Sequence, residues 1–528
     1  MMTVSFNLID EPWIPCTNLG GNSVELGLRD TLLSAHELRE IYDESPLVTA
    51  SLHRLLLCVL HRIFGPSSPS EWFSLWNKRR WEPEPIISYL DRWHDRFDLF
   101  HPDPVKRFYQ SPPDERFKPR SIIHLIHSRG NNPTLFNHQT DESTPGLSLS
   151  QAARALITAQ SFRLGGLLRP DDSAPDSPCA RGICFMTQGY SLFETLVLNL
   201  VGYPDETIMR WSETDRPTWE MDDPFAANRV VQQKGCTYAD PYGYLDYLSW
   251  QSCRIWLLPP ADDGLVKEVR IGLGQPKLHW SVLDPMKHYR ASPKDKNNPS
   301  GYRELRFSEG RALWRDSATL LQHKRDRRDH PPACLDWLAK LIEKDYDGVL
   351  GEYPKQALVA LGMANDQAKV DFYRQERWPL PLAYLQDEML VTYLSSALKE
   401  AEEVYSNLGC ALNRLARLLL SPTADQKEGH KPQPEDIRAL IGHWGVERRY
   451  WGSLEPHFWI LVEDLPHRTE AALERWRSTL SNAAWQAFEE AEALVGPAAR
   501  SLKAATQGRN RLACLLANTL KERSYGSG

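Results

Sequence analysis

A chain of 528 residues exceeds what one hydrophobic core usually holds, so two or three domains are expected. Hydrophobic content of 41% with 18 tryptophans suits dense, aromatic-rich cores, and no run of about 20 apolar residues marks a membrane span. The formal charge of −7 argues against unaided binding to nucleic acid, where phosphate neutralisation dominates, so any such contact must be local or shared with partners. Met1-Met2-Thr3-Val4-Ser5-Phe6 lacks a basic stretch followed by an apolar one; no signal peptide is expected, and the expected location is cytoplasmic.

Val4–Ile9 and Trp13–Cys16 read as strands around Asp10-Glu11-Pro12, with a turn at 18–22 before a third strand, Ser23–Leu28. Ser45-Pro46 opens a helix in which Leu47, Leu52, Leu55, Leu56, Val59, Leu60 and Ile63 keep helical spacing, which predicts burial. A helix near Pro85–Phe97 follows, then an irregular stretch at His101-Pro102-Asp103-Pro104. Ser148 and Gln151 form a capping box at the start of a helix over Leu149–Gln160. Gly165 to Gly182 reads as a loop and Ser191–Val201 as a buried helix. Cys253–Leu258 and Glu268–Leu273 read as a hairpin.

Beyond Pro379-Leu380-Pro381 strand signals give way to helical heptads. Helices are expected at about Glu388–Leu420, Pro434–Trp451, Pro456–Leu465, Ala471–Val495 and Pro497–Leu520, with a polar loop over 421–434. The fold class is therefore α+β: a mixed α/β domain over 1–375 and an all-α helical bundle of four-helix type over 376–528.

Local charge departs from the overall balance. Residues 287–330 carry 12 Lys or Arg against 6 Asp or Glu, from Lys287-His288-Tyr289-Arg290 to Lys324-Arg325-Asp326-Arg327-Arg328, and make a reasonable phosphate-facing patch. The nine cysteines (16, 58, 179, 184, 236, 253, 334, 410, 514) contain no CxxC pair, so free thiols are expected, with Cys58 and Cys514 as packing residues.

Catalytic constellations are sparse. His94-Asp95 is the kernel of a metal-dependent HD-type hydrolase or nuclease, the alternative function, but further ligands on neighbouring helices are needed and none is obvious. His124, His127, His138 and Asp141 make a weak metal set, and Gly272-Leu273-Gly274-Gln275-Pro276-Lys277 lacks the Gly-Lys-Ser ending of a phosphate loop. No catalytic residue, cofactor or metal is assigned. Two loops invite other readings. In Asn131-Asn132-Pro133-Thr134-Leu135-Phe136-Asn137, apolar side chains sit in a polar loop that a partner could cover, or Phe136 folds into its own core. Gly165-Gly166 either ends a helix or lets the backbone approach a groove closely.

Four segments occur in order: Phe6-Asn7-Leu8-Ile9-Asp10-Glu11-Pro12-Trp13-Ile14, the Asn131 loop, Gly165-Gly166-Leu167-Leu168-Arg169, and Met363-Ala364-Asn365-Asp366-Gln367-Ala368-Lys369. Together they resemble the large-subunit (CasA) family of type I-E CRISPR Cascade complexes, from about Phe6 to Leu520. The resemblance implies a non-catalytic subunit whose partners are the other Cascade subunits, the guide CRISPR RNA, double-stranded DNA bearing a protospacer-adjacent motif (PAM), and a recruited helicase–nuclease. It implies that Asn131, Asn132, Leu135, Phe136 and Asn137 contact guide RNA and a neighbouring subunit. It also implies that Gly165, Gly166, Arg169, Asp366 and Ala368 lie along the PAM minor groove, with a basic residue from Lys287–Lys296, for which Arg290 and Lys294 are the candidates. Gln367, on a tight turn, corresponds to the wedge that opens the duplex. Asp366 stands where some relatives carry an amide, and a carboxylate cannot donate a hydrogen bond.

Overall fold

The computed structural model describes the chain apart from residues 1–3, 127–145, 171, 203–211, 227–228, 234, 296–297, 322–328, 345–349, 351–355, 367–368, 422–431 and 521–528. It contains both helices and strands, and it divides into two compact units. One comprises residues 1–309 and 323–380; the other comprises 310–322 and 381–528.

The first unit is mixed α and β. Ile14–Asn18 is the central strand of an antiparallel three-stranded sheet, flanked by Ser23–Leu26 and by Leu38–Ile41. The expected strand at Val4–Ile9 does not form. Its backbone turns instead: Asp10 and Glu11 amides donate to the Asn7 carbonyl, and the Asn7 side chain accepts from the Ile9 amide at 3.0 Å. Pairing is cut short to a single antiparallel bridge between Asn7 and Asp98, because a short polar residue that satisfies its own turn ends the extended run there.

The helix Pro46–Phe64 is the core of this unit, with Leu52, Leu56, Cys58, Val59 and Leu60 all fully buried. It is apolar and long enough to cross a membrane by composition, yet most of it is enclosed by the protein's own packing. Pro46 occupies its first turn as expected, but the Ser45 side chain makes no cap bond. Leu149–Phe162 carries the capping box in full: Ser148 Oγ accepts from the Gln151 amide at 3.2 Å and Gln151 Oε1 from the Ser148 amide at 3.0 Å. The helix near Pro85 runs over Pro83–Trp93 and tightens to a 3₁₀ turn at His94–Arg96. Cys253–Leu257 and Glu268–Leu273 pair as the expected hairpin, extended by Arg120–Ser121.

Among the described residues, every regular element assigned in the second unit is a helix. Glu388–Leu420 packs against Thr469–Ala493 and Ala499–Thr519 through small side chains. Gly508 is required there, because a Cβ on it would lie 2.7 Å from Phe488 Cζ. Trp314, fully buried, packs against Phe458 with ring centres 4.5 Å apart, and Arg315 lies 3.6 Å from the centre of the Trp451 ring while reaching Glu402 at 2.6 Å.

Two expected helices are redrawn. Instead of Pro434–Trp451 and Pro456–Leu465, the helices are Pro434–His443 and Val446–Asp464. The break falls at Gly445, whose φ of +63° belongs to the left-handed region that ends helices. Pro456 is tolerated inside the second helix because it and Gly452, whose carbonyl loses a partner, both lie on the exposed face. Cys58 is buried as expected, whereas Cys514 is exposed and packs no core.

Candidate nucleic-acid interface

The longest pair of hydrogen-bonded strands among the described residues is Ala357–Asp366 with Lys369–Pro379, the first of them low in β-formers. Ala357–Asp366 and Lys369–Pro379 pair antiparallel from Ala357↔Pro379 to Ala364↔Phe372. The register then shifts so that Asn365 meets Val370 and Asp366 meets Lys369, leaving Asp371 as an extra residue. Such a bulge bends and twists a ribbon. Gln367 and Ala368, the two residues between Asp366 and Lys369, lie outside the described residues, as do the Asp366 side-chain contacts.

A third strand, Ile183–Gln188, buried at every position, pairs with Ala357–Gly362 and stops there: Ile183 is opposite Gly362. The four residues Met363–Asp366 and their partners therefore continue as a two-stranded ribbon, carrying the chain reversal about 13 Å beyond the three-stranded sheet. The base of the ribbon is tight. A Cβ on Gly362 would lie 3.2 Å from the Gly182 carbonyl oxygen, and Arg374 lies over the Phe372 ring at 4.8 Å.

The glycine segment is not the unstructured loop expected. Gly166–Arg169 pairs with Asp172–Ala174 in a small bulged hairpin. Gly165 is needed for internal packing: its amide donates to Asp176 Oδ1 at 2.7 Å, and a Cβ would lie 2.8 Å from backbone atoms of Ala174, Pro175 and Asp176. Gly166 instead borders open space, with nothing within 4 Å of a built Cβ. Leu167 is 70% exposed while Leu168 is buried, so the hairpin presents an apolar side chain outward. Arg169 is half-buried, 5.8 Å from the Phe117 ring and 3.9 Å from Asp172.

The basic segment divides. Lys287, expected on a phosphate-facing patch, is buried, as is His288. Burial alone would lower the Lys287 pKa, but the ionised Asp284 nearby opposes this and favours the charged ammonium. Its Nζ donates to the Pro178 carbonyl at 2.6 Å. Arg290 lies on a short hairpin, Tyr289–Ala291 with Tyr302–Glu304, opposite Arg303, and Lys294 is exposed beyond it. Lys296 and Lys324–Arg328 lie outside the described residues, as do Asn131, Asn132, Leu135, Phe136 and Asn137.

A buried polar hub joins these pieces. Asp284 accepts from Arg54 Nη1 at 3.0 Å, Tyr247 Oη at 3.0 Å and the Met286 amide at 2.9 Å, and both ion-pair partners are at most 2% exposed. Burial opposes the Asp284 charge, but Arg54 and Lys287 prevail and keep its pKa below the usual carboxylate value. Phe185 donates to the Met286 carbonyl at 2.7 Å, and Ile183 to the Leu305 carbonyl at 3.0 Å. The Arg290 hairpin and the projecting ribbon are thus both tied to one buried strand, and Lys287 links the segment that follows the glycine hairpin to them through Pro178. Sequence patterns did not single out Arg54 and Asp284, although an arginine in the middle of the apolar run Leu47–Leu60 was the available signal.

The catalytic alternatives find other partners. His94 Nε2 lies 2.8 Å from Asp10 Oδ2, and Asp95 accepts from Lys106 Nζ at 2.8 Å, so the dipeptide is engaged in surface pairs. His124 sits in a 3₁₀ turn, Ile122–Leu125, while His127, His138 and Asp141 lie outside the described residues.

Known proteins resemble this chain along nearly its whole length. The family profile described as CRISPR-associated protein Cse1 matches residues 7–487. A CasA/Cse1 protein of Thermus thermophilus is 37% identical over 519 residues, covering 97% of each chain. The crystal structure of Thermus thermophilus CasA superposes with a TM-score of 0.80 at 34% identity, over 97% of this chain and 99% of that one. A chain of a structure titled as a CRISPR RNA-guided surveillance complex shares the fold, with a TM-score of 0.72 at 21% identity over 96% of this chain and 99% of that one.

Proposed function

Because the chain belongs to the CRISPR-associated Cse1 family, we propose that it is the large, non-catalytic subunit of a type I-E Cascade, an RNA-guided complex that surveys DNA in the cytoplasm. In this role it assembles with the other subunits and the guide RNA through Asn131, Asn132, Leu135, Phe136 and Asn137. It inspects the PAM from the minor groove, starts unwinding, and helps recruit the helicase–nuclease. Minor-groove readout is degenerate, which suits tolerance for several PAM sequences. Sequence beyond the PAM is read by guide pairing.

The observation that carries this reading is the ribbon. A wedge must be held rigidly and extend far enough to enter a stack of base pairs, and here a paired ribbon projects past its sheet as far as the Asp366↔Lys369 pair, the two positions that flank Gln367-Ala368 in sequence. Gly166 and Leu167 present an accessible backbone for groove contact, and Arg290 and Lys294 supply positive charge from a hairpin tied to the same strand. Partial unstacking costs a few kcal/mol, offset by strand capture and guide pairing.

The test is R-loop formation by the reconstituted complex with Gln367→Ala on linear, negatively supercoiled and bubble targets. The linear duplex should suffer most, and the other two should be rescued because opening is already driven. Equal loss on all three substrates would remove the wedge assignment.

A further inference from the structure

A cleft in the first unit, of about 320 Å³, lies between the irregular segment 104–112, residues 218–224 and the strand Cys253–Leu257. That volume is at the small end for a ligand site. Four cations line it, Arg96, Lys106, Arg107 and Arg254, against two carboxylates, Asp222 and Asp223, in a chain of net charge −7.

Two of the four cations are already neutralised. Arg96 lies 3.4 Å from Asp222, and Lys106 lies 2.8 Å from Asp95. The other two have no carboxylate within ion-pair distance among the described residues. Arg107 donates to the carbonyls of His101 and Leu257 and lies 4.0 Å from the centre of the Trp256 ring. Arg254 lies over Phe225 at 4.2 Å.

The wall behind these arginines is aromatic. Tyr109 and Trp219 are each at most 5% exposed. Tyr109 has a φ of +54°, a left-handed conformation costly for a bulky side chain and found most often where function holds it. Gln251, 5% exposed, also lines the cleft. Its Nε2 donates to Thr218 Oγ1 at 3.3 Å, while its buried Oε1 meets no donor among the described residues. Such an oxygen costs stability until something donates to it.

An anion, a planar ring and a hydrogen-bond donor in one small molecule would match this lining. We propose that the cleft binds a single nucleotide unit, its phosphate toward Arg107 and Arg254, its base along the Tyr109–Trp219 wall, and a base N–H within reach of Gln251. The unit could be a free mononucleotide or the terminal nucleotide of a strand, since the chemistry is shared.

Calorimetric titration of the full chain with AMP, CMP, GMP and UMP, inorganic phosphate, and a 5′-phosphorylated trinucleotide tests this. Saturable one-to-one binding of at least one mononucleotide or of the trinucleotide is expected, with phosphate alone markedly weaker. Tighter binding of the trinucleotide identifies a strand end, and tighter binding of a mononucleotide identifies a free ligand. Arg254→Gln should weaken binding roughly tenfold or more at an unchanged melting temperature. Arg107→Gln serves as the second variant if the first destabilises the fold. No saturable binding of any nucleotide, phosphate binding as tight as nucleotide binding, or folded variants of undiminished affinity would each overturn the proposal.

Discussion

The Lys287 ammonium donates a 2.6 Å hydrogen bond to the Pro178 carbonyl, fastening the segment that follows the glycine hairpin to the chain that flanks strand Ile183–Gln188. The lysine is buried and charged, and its immediate neighbours include Asp284 of the Arg54 ion pair. It therefore acts as an internal tie and cannot contact phosphate in this conformation.

Lys287→Met keeps the aliphatic stem and removes the tie. It should lower stability by about 1–3 kcal/mol, the cost of leaving the buried groups unmatched. Hydrogen exchange should quicken over residues 165–182, while the subunit still joins its complex. Unchanged exchange over 165–182 would show that the bond does not hold the hairpin in place.

Gly165→Ala places a methyl group 2.8 Å from three backbone atoms that cannot rotate away. A loss of about 1–3 kcal/mol is expected from the forced shift, along with weaker PAM-dependent binding. Leu167→Ser, on the exposed side of the same hairpin, should stay within about 0.5 kcal/mol of the parent. Thermal melting of both variants separates internal packing from outward presentation; equal melting of G165A and the parent would refute the close packing.

Stability should depend on pH through His61 of the core helix, whose pKa burial pushes down to about 3. A folded pKa below the ordinary value of 6.5 means that its contribution is complete above pH 6.5 and declines as pH falls toward the folded value. Urea midpoints should therefore fall between pH 6.5 and 4. His61→Phe, which can keep the edge contact with Tyr244 at 4.9 Å, should give a shallower slope; a slope identical to the parent's would assign the acid sensitivity to other groups.

Reversing charge at Arg290 and Lys294 should weaken DNA binding by the assembled complex across sequences. The slope of log affinity against log salt should become shallower by about one unit for each phosphate that is no longer neutralised. An effect confined to one PAM would instead make one of these residues a base reader.

Phe136→Ala should loosen attachment to the complex without unfolding the subunit, because in the proposed assembly a partner covers this side chain. Size-exclusion of the reconstituted assembly measures it. An insoluble or low-melting mutant would mean that Phe136 belongs to the protein's own core.

The local signals in this chain are readable where structure depends on near neighbours. Ser148 and Gln151 cap a helix from three residues apart, and the apolar spacing from Leu47 to Leu60 and across Glu388–Leu420 produces helices without reference to distant sequence. The ordered motifs from Phe6 to Lys369 were enough to suggest the family that the comparisons establish. Tertiary structure decided the rest. The strand Ala357–Asp366, built from Ala, Gly and Asn as much as from β-formers, exists because it pairs with Lys369–Pro379 on one side and with Ile183–Gln188, some 175 residues earlier, on the other. Arg54 and Asp284 are 230 positions apart, and neither position reveals a partner until folding excludes water from both. Lys287 reads as a surface cation because charge counts carry no depth; only the packed interior turns it into an anchor.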